Sequence, residues 1–245
     1  MSIDTLCQLK QVWRGSFADP EEAIESFFRY GYSPNRCRYL EVDGRIVSAL
    51  YWFDCLWEEK PLAYLYAVGT LPQHRGNGYA AQLIRSTHEV LKAAGYYGAV
   101  LKPAEGLFPY YERLGYTTCG WVDKPLITAC GDASAIKELD ADAYAALRRQ
   151  YLPQGGVVQE GDVLVFLQQY ARFYEGPGCV LCAGREEKAV FEFLGDIRVL
   201  PGVLQALQIP CATPITPGAS TPFLMYCPFT PKSEAFPKYL GLSLE

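Results

Sequence analysis

A mixed α/β fold is what this sequence predicts, and three observations carry that expectation. Two amphipathic helical stretches open the chain, and three strand-like runs follow as an antiparallel meander. A glycine-rich turn then leads straight into a long amphipathic helix and a further strand. A strand–helix–strand order implies a parallel pair, so the sheet combines parallel and antiparallel neighbours. After residue 130 a similar layout begins again without the glycine-rich turn. The expected organisation is a first domain over residues 1–128 and a smaller, degenerate second one over residues 129–245.

Each element has a local reason. Ser2 or Asp4 can cap a first helix that carries Leu6, Leu9, Val12 and Trp13 on one face. Asp19-Pro20-Glu21-Glu22 opens a second, with Asp19 as cap and Pro20 in the first turn; Ile24, Phe27 and Phe28 form its apolar face and Gly31 ends it. Residues 38–42 read as a strand that turns at Asp43-Gly44, a strong hairpin dipeptide, into residues 45–53. Past Glu58-Glu59-Lys60-Pro61, residues 62–68 complete the meander. The long helix repeats apolar or small residues at Ala80, Leu83, Ile84, Thr87, Leu91 and Ala94, one helical face, and stops at Gly95. Gln82, Arg85, Glu89 and Lys92 take the opposite side, and His88 reads as a helix-surface residue. A buried strand at 98–102, a short helix at 107–114 and a strand at 116–127 follow.

In the second half, helices are expected around residues 142–151 and 162–173, strands at 179–183 and 189–193, and a short helix at 200–207. The last 45 residues hold eight of the 17 prolines, which confines strands there to edges and short runs such as 223–226 and 239–244.

Composition removes several function classes. The 245 residues are 50% hydrophobic and 20% charged, with 22 Lys+Arg against 27 Asp+Glu and a net charge of −5. These are ordinary globular values, incompatible with collagen-like, coiled-coil or wholly disordered chains. No apolar run approaches the ~20 residues that span a bilayer, and the first residues lack the basic and apolar regions of a secretory signal. The expectation is a cytoplasmic protein without a membrane partner. Neither half has a basic excess, which disfavours nucleic acid. Nine cysteines, an odd number, are expected reduced and buried rather than bridged. Cys179-Val-Leu-Cys182 lies in a strand-like run, where a spacing of three points the thiols to opposite faces; no metal site is expected.

The chemistry concentrates at Gln73-His-Arg-Gly-Asn-Gly-Tyr79. Successive amides in a glycine-rich turn at a helix N-terminus converge on an anion, and the helix dipole favours negative charge there. Gly76 and Gly78 let the main chain approach closely, and Arg75 adds a guanidinium suited to phosphate. The spacing is neither that of the nucleotide P-loop nor that of the dinucleotide fingerprint.

The block Val68-Gly-Thr-Leu-Pro-Gln-His-Arg-Gly-Asn-Gly-Tyr-Ala, followed about thirty residues later by Tyr110-Tyr-Glu-Arg-Leu-Gly-Tyr116, resembles the GNAT superfamily of acyl-CoA-dependent N-acyltransferases. The resemblance covers residues 3 to about 127. The repeated layout afterwards resembles the subgroup of enhanced-intracellular-survival-type acetyltransferases, in which a second, degenerate GNAT-like unit follows the first. It implies acetyl-CoA as donor, a primary amine of a small molecule or peptide as acceptor, and direct transfer. Carried over, the main chain at Val68 and Thr70 would pair with the pantetheine arm. The amides of Gln73, His74, Arg75, Gly76, Asn77, Gly78 and Tyr79, with the Arg75 side chain, would hold the pyrophosphate. Tyr111 matches the tyrosine that protonates the departing thiolate, a task a phenol near the sulfur can perform; Tyr110 is the alternative.

Three departures stand out. The family's usual first strand is missing, Ala80 stands where glycine is commoner, and residues 62–68 contain no carboxylate to deprotonate an ammonium. Glu105, Asp54, Glu58 and Glu59 are the carboxylates left as candidate bases. In the resembled subgroup the terminal carboxylate can reach the active site, which adds Glu245. The leading function is an N-acetyltransferase. The alternative is a catalytically impaired CoA-binding or regulatory module, and the third is a structural domain whose loop holds nothing. Oligomeric state is left open.

Overall fold

The computed structural model describes residues 3–186, 188–230 and 235–244. Ser2 and Glu245, named above as cap and candidate base, lie outside the described residues. The chain divides into two compact units: Met1–Cys55 with Glu59–Thr117 and Tyr226–Ser233, and Leu56–Glu58 with Thr118–Met225 and Glu234–Glu245.

In the first unit, α1 (Ile3–Ser16) buries Leu9, Val12 and Trp13, the stripe its apolar spacing sets. No side chain caps α2 (Glu21–Ser26). Asp19, expected there, instead accepts a hydrogen bond from Trp13 Nε1 at 2.7 Å, because a buried indole needs an acceptor for its single N–H. The helix continues past Ser26 as a π-turn, Phe27–Gly31. β1 (Cys37–Val42) and β2 (Arg45–Trp57) pair antiparallel around Asp43 and Gly44. Both turn residues have positive φ, 50° and 74°, as a tight hairpin demands. β3 (Lys60–Thr70) follows a second such turn at Glu58 and Glu59.

α3 (Tyr79–Ala93) then crosses to β4 (Gly98–Leu101), which runs parallel to β3 as the strand–helix–strand order implies. α3 buries Leu83, Ile84, Thr87, His88 and Leu91. His88 is therefore not on the helix surface; it stands four residues after Ile84, one turn along the same stripe. α4 (Phe108–Glu112) is a single short helix, and β5 (Thr117–Asp123) leads out of the unit.

The second unit contains β6 (Ile127–Thr128), β7 (Lys137–Leu139), α5 (Ala141–Tyr151), β8 (Val158–Gln159) and α6 (Asp162–Leu167). β9 (Ala171–Gly176), β10 (Cys179–Gly184), β11 (Val190–Gly195), α7 (Leu200–Ala206), β12 (Cys211–Ala212), β13 (Thr216–Pro217) and β14 (Thr221–Pro228) complete the chain order. Strands β11, β10, β9 and β7 form an antiparallel sheet in that order. The helix expected over residues 162–173 stops at Leu167. Ala171-Arg-Phe-Tyr carries aromatic residues that pack on a pleated surface, and pairing with β10 overrides the helical period. Cys179 and Cys182 are both fully buried, three apart along β10. Residues 239–244, expected as a strand, make only an isolated bridge, Gly156 to Tyr239.

That last segment is nonetheless held firmly within its unit. Arg148 Nε and Nη2 donate to Glu192 at 2.7 and 2.8 Å, and the hydroxyls of Tyr144 and Tyr239 donate to the same carboxylate at 2.9 and 3.0 Å. The ion pair is buried but its lone pairs are filled, the condition under which burial of charge is tolerated. Gln159 ties both the carbonyl and the amide of Leu242, at 2.7 and 3.3 Å.

β14 supplies its last residues, Tyr226–Pro228, to the first unit, where it neighbours β4. A Cβ on Gly98 would sit 2.3 Å from the Tyr226 ring and 2.7 Å from the Cys227 carbonyl oxygen, so only glycine admits this approach.

Candidate active site

The site begins where two strands part. The parallel ladder between β3 and β4 lasts from Leu62 to Tyr64, opposite Gly98 to Val100, while β3 itself runs on to Thr70. Ala67, at φ 48°, interrupts the extended backbone just before Val68, an unusual conformation for a residue with a Cβ. The end of β3 is then fixed by Ser48, whose hydroxyl donates to Gly69 O at 2.8 Å and lies 2.9 Å from Thr70 Oγ1.

A short 3-10 turn, Pro72–His74, carries the chain toward α3. The amides of His74 and Arg75 are used inside this turn, donating to Leu71 O and Pro72 O at 2.9 and 3.2 Å. Gly76 and Gly78 both have positive φ, 81° and 77°, and a Cβ at either would meet nothing within 4 Å. Their role is thus backbone conformation beside open space. Gly78 is the N-cap of α3; no side chain caps the helix and no acidic residue lies in its first turn. The amides of the first helical turn have no partner within a helix, so here they face outward as a positive, unneutralised group.

The Arg75 guanidinium, expected to meet phosphate, is turned back on the chain. Nε donates to Thr70 O at 3.1 Å, and Nη2 to Gly15 O and Ser16 O at 3.2 and 3.4 Å. Gly15 and Ser16 end α1, whose last carbonyls lack helical donors and whose dipole favours a cation. Asn77 Nδ2 similarly closes the loop on His74 O at 3.1 Å.

Opposite the loop stands α4. Val68, Thr70, His74, Arg75, Gly76, Gly78, Tyr79, Ala80, Ala81, Leu107, Tyr110 and Tyr111 line one cleft of about 400 Å³. Seven of the nine residues expected at the cofactor are in this lining; Gln73 is exposed in the 3-10 turn and Asn77 is spent on the loop. Tyr111, 8% exposed, accompanies them, with Tyr110 packed against it edge-on at 5.2 Å between ring centres. Burial raises the pKa of both phenols, more strongly for Tyr111, so each stays protonated at neutral pH. Among the described residues nothing accepts from the buried Tyr110 hydroxyl.

The four described candidate bases are not in the lining. Glu105 is exposed in the turn before α4 and is not in the lining. Asp54 pairs with Arg36 at 3.2 Å and accepts from Tyr96. Glu58 and Glu59 sit at the hairpin that opens β3, the length of that strand, about 30 Å, from Thr70. The residues missed in the sequence are Ala81 and Leu107 in the lining, and Ser48 and Ala67 behind it. Ala81 follows the Gly78-Tyr79-Ala80 end of the loop motif, which could have pointed to it. Ser48 and Ala67 leave no pattern in the sequence.

Residues 1–119 match the acetyltransferase (GNAT) domain family. Among solved structures, a GCN5-related N-acetyltransferase from Kribbella flavida is 16% identical over 92% of this chain and 69% of its own, with a TM-score of 0.70. Another from Anabaena variabilis is 15% identical over 92% and 70%, with a TM-score of 0.72. Eis1 from Mycobacterium abscessus is 13% identical over 90% and 66%, with a TM-score of 0.65. At these identities the likeness is one of fold. No curated protein matches the sequence.

Proposed function

From the premise that residues 1–119 are an acetyltransferase domain of the GNAT family, acyl-CoA-dependent N-acyltransferases, we propose that the cleft takes acetyl-CoA and delivers its acetyl group to a primary amine by direct attack. The single observation that carries this is the joint lining of one cleft by the uncapped N-terminus of α3 and by Tyr111. The residues present fit the donor. Outward amides at the start of α3 suit a pyrophosphate, the two open glycines allow its approach, and the free edge of β3 at Val68 and Thr70 suits an extended amide-bearing arm. Acetyl-CoA supplies an activated thioester carbonyl. Arg75 acts by holding the loop against α1, with Nη1 left over for a phosphate oxygen. Tyr111 holds a proton ready for the departing sulfur.

The second unit, in this reading, is a degenerate GNAT-like unit over residues 129–245 that binds no CoA. Its support is the strand, turn and helix order of β11 and α7 without an open glycine loop. The acceptor is a small-molecule or peptide amine, and nine free cysteines suit the reducing cytoplasm. No described helix is long and apolar enough to cross a membrane. One observation favours a second reading, a CoA-binding module without turnover: none of the cleft's lining residues is a carboxylate.

CoA release from acetyl-CoA, measured against polyamines, aminoglycosides and peptide amines, separates the two. The expected outcome is turnover with at least one amine, reduced about 10²–10⁴-fold in Tyr111→Phe, the usual worth of a positioned proton donor. CoA binding without release by any amine establishes the module instead, and an unchanged rate in Tyr111→Phe moves the acid to Tyr110 or water.

A further inference from the structure

Behind the cleft, a buried imidazole ties α4 to α3. His88 Nε2 lies 2.7 Å from the Tyr116 hydroxyl, and Nδ1 lies 4.0 Å from Cys227 Sγ. These are its hydrogen-bond partners among the described residues. Its ring packs on Tyr116 and Phe229 at 5.4 and 5.2 Å between centres. A neutral imidazole has one N–H and one lone pair in either tautomer, so the ring can serve both neighbours at once. The Tyr116 ring in turn meets Tyr111 edge-on at 5.6 Å.

The element that carries Tyr111 needs such an anchor. α4 is five residues long with no side-chain cap, too short to hold a geometry alone. Its carboxyl end closes on Tyr111 itself: the amides of Leu114 and Tyr116 both donate to Tyr111 O, at 2.9 and 3.1 Å. Tyr116 is thus joined to Tyr111 through main chain and ring, and to α3 through His88. α3 is the helix whose N-terminus faces the cleft, and over its 15 residues it is the stiffer partner. Aliphatic packing alone would fill the place of His88 without a polar group to satisfy; what the imidazole adds is a directional bond to the residue that braces Tyr111.

We propose that His88 is a positioning residue which, through Tyr116, sets the Tyr111 hydroxyl relative to the amide-lined end of α3. This rests on the reading of Tyr111 as proton donor, and it extends that reading to two residues outside the cleft. A donor displaced by a fraction of an ångström loses rate without losing substrate binding.

The test uses the full chain, acetyl-CoA, and spermine as probe amine, with CoA release as the rate and calorimetry for CoA affinity. His88→Leu is expected to lower kcat about tenfold, while KM for acetyl-CoA and the Kd of CoA stay within about twofold. His88→Gln, which keeps a hydrogen-bonding group near the Nε2 position, is expected to restore most of the rate. Tyr116→Phe, which deletes only the hydroxyl, serves if His88→Leu does not fold. In a Tyr111→Phe background, His88→Leu is expected to have no further effect, since residues that act through one group are not additive. Without any substrate, amide exchange at Leu114 and Tyr116 is expected to quicken in His88→Leu and not in His88→Gln. A full rate in folded His88→Leu or Tyr116→Phe, beside a slowed Tyr111→Phe, overturns this inference alone. The same fractional loss in the Tyr111→Phe background also overturns it. A full rate in Tyr111→Phe overturns the proton-donor reading and this inference with it.

Discussion

The two units each contain a strand that passes through a 3-10 turn into a helix with no side-chain cap and no acid in its first turn, and the two turns differ in how open they are. After β3, the turn leaves Gly76 and Gly78 at positive φ with nothing within 4 Å of a Cβ, and α3 begins with no cap and no acid. After β11, Gly195 is also at positive φ, 134°, but a Cβ there would lie 2.4 Å from Gly178 O. Asp196 follows, its carboxylate accepting from the Arg198 amide at 3.0 Å and from its guanidinium at 2.9 Å. Pro201 then removes one amide from the first turn of α7, which is only seven residues long. In the second unit the chain's own carboxylate, Asp196, is bound to the 3-10 turn ahead of α7. The two turns share a strand–turn–helix order and differ in that Gly76 and Gly78 stand beside open space while Gly195 is crowded.

Substitutions in the open turn sharpen this comparison most. Gly78→Val places a β-branched residue at φ 77°, which strains the loop by about 1–2 kcal/mol or more and also crowds the approach. Calorimetry is expected to show CoA affinity reduced about a hundredfold. Arg75→Ala removes three bonds that hold the loop to β3 and α1, and a loss of about tenfold is expected, smaller because the amides remain. A larger effect for Arg75→Ala than for Gly78→Val would mean that the side chain, not the backbone, makes the site.

Acid separates the units more gently. Burial lowers the pKa of His88 to about 4 from 6.5. Between those values the unfolded chain binds a proton there that the folded chain does not. Stability contributed by this group therefore falls as pH drops from about 6.5 to about 4, by a limit of about 3 kcal/mol, and does not fall further below. In the second unit, Asp196 is lowered from 3.8 to about 2 by its bonds to Arg198, so its contribution is lost only below about pH 4. Urea denaturation across this range is expected to show the upper slope in the wild type and its absence in His88→Gln. An unchanged slope in His88→Gln would assign the acid response to other groups.

Much of the first unit was legible because its signals are local. Asp43-Gly44 marks a hairpin, the glycine pair marks the turn before α3, and the apolar period of α3 names its buried face. His88 was misplaced because one helical position separates the surface from the stripe edge, and only the partners, Tyr116 and Cys227, decide it. Arg75 was legible as a cation at the loop but not in its direction, since its acceptors end a helix 60 and 59 residues earlier. β14 joins β4 across a separation that no local pattern encodes, and Gly98 reads as an ordinary strand glycine until Tyr226 is beside it. In the second unit, residues 171–173 read as the end of a helix because a short apolar run fits either period, and pairing with β10 settles it. Tyr239 to Leu244 alternate like a strand, yet their burial comes from packing around Glu192 and Gln159.

CoA titrated calorimetrically into the wild-type chain and into Ala80→Asp tests the central claim most directly. Ala80 lines the cleft in the first turn of α3, so an aspartate there places a carboxylate beside the first-turn amides. The added charge complements the helix dipole and offsets the poorer helix propensity of Asp, leaving the thermal midpoint within a few degrees. The account predicts one CoA per wild-type chain and an affinity about tenfold or more lower in Ala80→Asp, because the carboxylate opposes the phosphates. No binding by folded wild type, two CoA per chain, or equal affinity in the two proteins would contradict it.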